Sequence, residues 1–296
     1  METLNHSEVN VDIPQITERA MLVELSIGVY KFKKTDKTLS DEVASNKKAA
    51  DGVVEAKKNL LTKCEPLEKI KKLEGQARNW HYKHTIPWSD SGLRLVTIQQ
   101  YLPYVEQLNG FKDEFYKLKR ELLNLYPDLI NKQSFASGDL FNRDDYATVE
   151  QLEDKFHFGV NYFPLPQSGD FRVDVPNEIR EQLQSNYDTM FKKTLEGAMS
   201  DLWKRLHDKL LHIKESLVVA GDGKKKVFLD TMLINARELC ELLTNMNVTN
   251  DPELEQRRKE LESAISGLTV DELRDSVLVR EDVTAKVDSI LDKMKF

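Results

Sequence analysis

Cysteine is scarce in this chain of 296 residues: Cys64 and Cys240 are the only two. Two thiols are too few for a disulfide scaffold or a four-thiolate zinc site. Long apolar runs are missing as well. Stretches such as Leu217-Val218-Val219-Ala220 fall far short of the roughly 18 residues that a membrane-spanning helix needs, so no membrane association is expected. The opening residues, Met1-Glu2-Thr3-Leu4-Asn5-His6-Ser7-Glu8, are polar and acidic, unlike a secretory signal. The expectation is a reduced, cytoplasmic protein. An excess of basic charge is absent too, since 43 Lys and Arg stand against 50 Asp and Glu, a net charge of −7. With 40% apolar and 31% charged residues the chain is too apolar for a disordered polymer. Its length suits one large domain or two small ones.

Catalytic spacings are equally sparse. Gly221-Asp222-Gly223-Lys224-Lys225-Lys226 lacks the spacing of a phosphate loop and follows no strand, so it reads as a helix boundary. His81 and His84 lie three apart with Cys64 the nearest thiol, short of a zinc ligand set. His207 and His212 are five apart, roughly 140° round a helix, and do not share a ligand. Pro127-Asp128 with Glu153-Asp154-Lys155 imitates the scattered carboxylate and lysine pattern of metal-dependent nucleases. That pattern belongs on adjacent strands, whereas these residues fall in helical or turn sequence. No metal and no cofactor is expected.

Periodicity is what the sequence does supply. Residues 1–20 read as a polar arm. Val23, Leu25, Ile27 and Val29 alternate with polar residues, which predicts a half-buried strand over about 22–33. From Leu39 to Ala77 apolar residues recur at threes and fours, predicting one long amphipathic helix near 39–79 with a cap at Ser40-Asp41 and a kink at Pro66. An aromatic-rich loop follows over 80–92. A helical region from about Leu93 is interrupted near Pro103 and stops at Pro127, and a shorter helix is expected near 144–154. Phe156, Phe158, Val160 and Tyr162 alternate, as do Phe171, Val173 and Val175, predicting a hairpin of strands at about 156–163 and 170–175, with the first strand as its third partner.

The clearest helix is expected over about 177–220. Its apolar stripe runs from Ile179 to Leu217 in ten steps covering 38 residues, a mean of 3.8. That exceeds the roughly 3.5 of a left-handed coiled coil. Shorter helices are expected near 225–246, 251–266 (capped by Asn250) and 269–294. The fold class is therefore α+β and predominantly helical: an elongated bundle with two long helices, about 39–79 and 177–220, packed as an antiparallel pair, and a small antiparallel sheet. Residues 21–220 would form this bundle, and 221–296 a helical segment packed on it or extending it.

Charge is uneven along the chain. Residues 31–84 hold 14 Lys and Arg against eight acids, a net of +6, and lead into Trp80, Tyr82 and Trp88. Lysines tracking phosphates beside aromatics that stack on bases are what a single-stranded nucleic-acid groove needs. The candidates are Lys33, Lys34, Lys37, Lys71, Lys72, Arg78, Trp80, Tyr82, Lys83 and Trp88. The same residues also suit a solvated helix face, its acids interleaved with the lysines. A second set, Trp88, Asp90, Arg94, Asp170, Phe171 and Arg172, suits a structural junction locking sheet to helices, with Asp170 and Arg172 pairing toward Asp90 and Arg94.

Thr85-Ile86-Pro87-Trp88-Ser89-Asp90-Ser91-Gly92, Gly169-Asp170-Phe171-Arg172-Val173, Leu140-Phe141-Asn142-Arg143-Asp144-Asp145-Tyr146 and Lys33-Lys34-Thr35-Asp36-Lys37 together resemble an uncharacterised family encoded largely by bacteriophages and prophages. The resemblance covers about residues 20–220. It implies a viral protein made in a bacterial cytoplasm and brings no catalytic residues. Some relatives accompany genes for MoxR-like AAA+ ATPases and von Willebrand A-type proteins, which implies a partner or adaptor role. The expected function is a non-enzymatic interaction protein that oligomerises or docks a protein partner through its long helices. A single-stranded nucleic-acid factor is the alternative, and a metal-dependent nuclease built on Asp128, Glu153 and Lys155 is the third.

Overall fold

A computed structural model of the chain describes residues 13–167, 175–217 and 229–294. The elements run α1 (Ile13–Arg19), β1 (Ala20–Gly28), β2 (Lys33–Thr35), α2 (Lys37–Asn46), β3 (Lys57–Asn59), α3 (Glu65–His84), β4 (Ile86–Pro87), β5 (Arg94–Thr97), α4 (Ile98–Ser137), α5 (Val149–Glu153), β6 (His157–Pro164), α6 (Asn177–Leu217), α7 (Leu229–Met246), α8 (Pro252–Ile265), α9 (Val270–Asp275) and α10 (Val277–Lys293). The fold is predominantly helical α+β, as the periodicity indicates. A four-stranded sheet has the order β4-β5-β1-β6, and β2 and β3 form a separate ladder. β1 and β6 are the strands expected near 22–33 and 156–163. The strand expected at 170–175 falls largely outside the described residues, as does the glycine-rich boundary at 221–223.

The helix expected over 39–79 is replaced by α2, the β2–β3 ladder and α3. The break has a local cause. α2 ends at Asn46 with Lys47 as its C-cap, Lys48 follows at φ 51° and Gly52 at φ 81°, left-handed conformations that no helix continues through. The true N-cap is Asp36, whose carboxylate accepts from the Leu39 N–H at 3.1 Å, while the Ser40 hydroxyl accepts from the Ala56 N–H at 2.9 Å. Pro66 sits in the first turn of α3 rather than in a helix interior, where its missing N–H costs nothing. α3 then runs through Trp80 to His84, and β4 and β5 occupy sequence read as loop and helix.

The second long helix is α4, at 40 residues beside the 41 of α6. It passes through both Pro103 and Pro127. Each proline in a helix interior costs about 3 kcal/mol, and both point outward into solvent. Tyr104, Leu108, Tyr126 and Ile130 beside them are buried, and burying such side chains contributes about 1.5–3 kcal/mol each. Packing outweighs the two missing hydrogen bonds. The arm expected over 1–20 includes α1, whose Ile16 is buried. α8 is capped by Asp251 rather than Asn250, and Ser276 divides the helix expected at 269–294 into α9 and α10.

The chain divides into two compact units. The first draws on Met1–Glu24, Tyr82–Tyr104 and Asn161–Phe296, the second on Leu25–His81 and Val105–Val160. In the first unit α6 is central, packing against α7, α8, α10 and β4. It makes these contacts in place of the expected pairing with a second long helix. Its stripe from Phe191 through Leu195, Leu202, Leu206, Leu210 and Ile213 to Leu217 is buried in that core, while Ile179 and Met190 near its start are exposed. β1 pairs antiparallel with β5 from Ala20↔Thr97 to Val23↔Arg94. In the second unit Phe32, fully buried despite a φ of 50°, lies within ring contact of Tyr30, Tyr126 and Phe156.

Candidate functional site

The face of α6 that flanks its apolar stripe carries Asp201, Arg205, Asp208, Lys209 and His212, residues that helical spacing stacks on one side. In the first unit these side chains line an open cavity of about 690 Å³ with Tyr82, Lys83 and Arg94, and with Asn235, Leu239 and Leu242 of α7. The last turn of α3 supplies the floor. Its final carbonyls have no partner within the helix and form the negative end of the helix dipole, and two guanidinium groups answer them.

Arg205 donates from both terminal nitrogens and forms an ion pair through the third. Nη1 donates to the Lys83 carbonyl at 2.9 Å and toward the Met246 sulfur at 3.9 Å, Nη2 to the Tyr82 and Thr85 carbonyls at 3.1 and 2.8 Å, and Nε meets Asp201 at 2.7 Å. Arg94 approaches the same group. Its Nε donates to the Thr85 hydroxyl at 2.6 Å and its Nη2 to the Thr85 and Tyr82 carbonyls at 2.9 and 3.4 Å, and its guanidinium lies 5.1 Å from the centre of the Tyr82 ring. Burial, with Arg205 beside it, pushes the Arg94 guanidinium below its ordinary value.

Two of the four cations lining the cavity have carboxylate partners, Arg205 with Asp201 and Lys83 with Glu238 of α7. Among the described residues the other two, Arg94 and Lys209, pair with no carboxylate. The Nη1 of Arg94 donates to none of the described residues, and the Lys209 ammonium is held by no hydrogen bond from them. Burial pushes the Lys209 amine down, and the Lys83 charge adds to the effect. The site is therefore an open cavity richer in cations than in carboxylates, and among the described residues no group in its lining is placed as a nucleophile with its base.

The structure brings Tyr82, Lys83 and Arg94 together, drawing from both candidate sets. It distributes the rest. Trp88 packs edge-on to Phe191 at 5.2 Å and against the core of the first unit, so that ring is half-buried and serves the packing of the core. Asp90 is exposed in the turn before β5. Asp170, Phe171 and Arg172 lie outside the described residues, and Arg94 is held instead through its Nε and Nη2 by the end of α3. In the second unit part of the basic run is paired. Lys34 and Lys58 meet Asp145 at 2.6 and 2.5 Å, Lys58 also meets Asp36 at 3.2 Å, Lys71 meets Glu68 at 2.9 Å, and Arg78 meets Glu74 at 3.0 Å and the Ile27 carbonyl at 2.8 Å. Lys33, Lys37 and Lys72 are exposed, and Trp80 is half-buried. Asp145 is nearly inaccessible, its side chain 4% exposed. Burial pushes its carboxyl up, but Lys34 and Lys58 together outweigh that and hold it below the ordinary carboxylate range.

Asp128, Glu153 and Lys155 are exposed, and Lys155 lies over the Tyr30 ring. Among the described residues no three His, Cys, Asp or Glu side chains form a group fit to hold a metal ion, which leaves His81, His84 and Cys64 as buried residues of α3 and its approach. Among the described residues, too, no helix is long and apolar enough to cross a membrane. Arg205 and Lys209 were not evident from the sequence. Asp201, Arg205 and Lys209 are spaced i, i+4, i+8, the pattern of an ordinary solvated helix face, and the end of α3 that gives them a role is more than a hundred residues away. No protein-family model matches the chain, and neither does any curated protein or solved structure.

Proposed function

We propose that the chain is a non-enzymatic interaction protein, an adaptor of the phage-borne kind it resembles, which docks an anionic segment of a protein partner at the cavity of the first unit. The observation that carries this reading is the pair Arg94 and Lys209, two cations facing one cavity without a carboxylate partner among the described residues. Half-buried cations that outnumber the carboxylates around them are unfavourable, and an acidic ligand offsets the excess. Burial of the α6 stripe within the chain also bears on the mode of action. An apolar stripe already covered by α7, α8 and α10 is not a surface for self-association, so docking at the polar face is favoured over oligomerisation through the long helices. A MoxR-like AAA+ ATPase in the cytoplasm of a bacterial host is the kind of partner that the resemblance brings.

Single-stranded nucleic acid is a second reading, supported by Tyr82, 49% exposed beside Lys83 and Arg94. It is weakened by the half-buried ring of Trp88 and by the paired lysines of the second unit. One titration separates the two. Labelled oligoglutamate and labelled single- and double-stranded oligonucleotides are titrated with the protein at about 50 and 200 mM salt. Saturable oligoglutamate binding that weakens in salt and is lost in Lys209→Glu is the expected result. Binding of single strands alone, lost in Tyr82→Ala, moves the assignment to nucleic acid. Absence of binding to every probe removes the cavity as a docking site.

A further inference from the structure

We infer that Asp51 in the second unit is a site of backbone modification. It isomerises through a cyclic imide with Gly52 to a β-linked aspartyl residue, the substrate of isoaspartyl methyltransferases.

The chemistry sets the requirements. The Gly52 nitrogen attacks the Asp51 Cγ, an N–C bond forms, a C–O bond breaks, and the amide proton leaves with the hydroxyl as water. Water then opens the five-membered imide at either carbonyl and restores aspartate or its β-linked isomer. The water lost is regained, and the step draws on no oxidant or reductant. It needs a backbone N–H that is free, a carboxyl that is not held, and no side chain on the following residue to crowd the ring.

Asp51-Gly52 meets all three. It is the one Asp-Gly step among the described residues. It forms the tip of a turn between α2 and β3, closed by the Val53 N–H donating to the Ala50 carbonyl at 3.3 Å. Gly52 takes the second central position at φ 81°, a conformation that suits glycine. Both residues are exposed. The space around Gly52 is open, since even an added Cβ would meet nothing within 4 Å. Among the described residues the Gly52 N–H donates to no acceptor, and the Asp51 carboxylate has no hydrogen bond or ion pair.

Asn109-Gly110 shows what the fold withholds. Asn-Gly is the more reactive pair in a free peptide, and both residues are exposed on α4. There the Gly110 N–H is committed to the helical ladder, and attack has to wait for local opening of the helix. Exposure is common to the two sites; the state of the backbone amide separates them.

The test ages the full chain for several weeks at physiological temperature, at about pH 5 and about pH 8. The protein is then digested with trypsin, and its peptides are labelled by an isoaspartyl methyltransferase with radioactive S-adenosylmethionine. Label is expected in residues 49–57, formed at a rate within about tenfold of the same peptide free in solution. It should form faster at the lower pH, because the protonated carboxyl is the form that releases water. Asp51→Glu should abolish it, since closure of the larger ring is far slower. That change falls on an exposed, unpaired side chain, and an unchanged circular dichroism spectrum verifies the fold. Residues 95–112, which hold Asn109, should deamidate at least about tenfold more slowly than their free peptide and lose that protection in urea. Asp222-Gly223 lies outside the described residues and in another tryptic peptide, so its signal stays separate. Absence of label from residues 49–57, formation more than about tenfold slower than in the free peptide, or label that survives Asp51→Glu overturns the assignment. Asn109 reacting in the folded chain as fast as in its free peptide overturns the structural argument for it.

Discussion

Arg205 and Lys209 are one helical turn apart on α6, yet they have opposite standing in the first unit. Arg205 donates to three carbonyls at the end of α3 and just beyond it and pairs with Asp201, and replacing it by Gln deprives the Lys83 carbonyl and Asp201 of their partner while Arg94 still reaches the Tyr82 and Thr85 carbonyls. Arg205→Gln should cost about 2–4 kcal/mol, read as a lower urea midpoint. Lys209→Gln should change stability by no more than about 0.5 kcal/mol and affect binding alone. Asp145 in the second unit is a second such contrast. Because its carboxyl is held below the ordinary range in the folded chain, its ion pairs contribute fully above the unfolded value, about 4. That contribution is lost as the pH falls through the lower, folded value. Asp145→Asn should therefore cost about 1–3 kcal/mol at neutral pH. The gap from the parent should stay level down to about pH 5 and close below about pH 4 in urea titrations.

At the scale of elements, what could be read from the sequence depended on whether the cause was local. The alternation in β1 and β6 and the stripe of α6 are local patterns, and they placed those elements within a few residues. The fate of Pro103, Pro127 and the segment after Asn46 turned on tertiary terms. Spacing alone predicts a break at each proline and continuity through Lys47 and Lys48. Burial of Tyr104 and Tyr126 overrides the first expectation, and the left-handed residues at Lys48 and Gly52 overturn the second. The candidate site shows the same division. Tyr82, Lys83 and Arg94 were visible as an unusual segment, but Lys209 gains meaning only once α3 ends against α6. If packing carries α4 through its prolines against their own preference, relieving one should strengthen the helix. Pro127 is exposed, so Pro127→Ala should stabilise the chain by about 1–3 kcal/mol, the helix propensity gained less the entropy returned to the unfolded chain. A urea midpoint at or below the parent value would mean that Pro127 is not a defect.

The molecule as a whole is organised by two units that interleave in sequence. The first unit places Ile16, Leu95, Leu202 and Ile290 in one core, so residues near both ends of the chain meet there. A chain stopped after Leu217 lacks α7 to α10 and leaves the α6 stripe uncovered. Such a truncation should bind an environment-sensitive dye and lose cooperative melting of the first unit, and retention of a sharp transition with no dye binding would refute this account of its core. The same connectivity has a consequence during synthesis. Everything the second unit is made of lies before residue 161, so its core can close while the nascent chain is still attached to the ribosome. The first unit has to wait for α10. A product interrupted before α10 would emerge with its central helix undressed, open to proteases and chaperones, and only a chain read through α10 would be able to hide it.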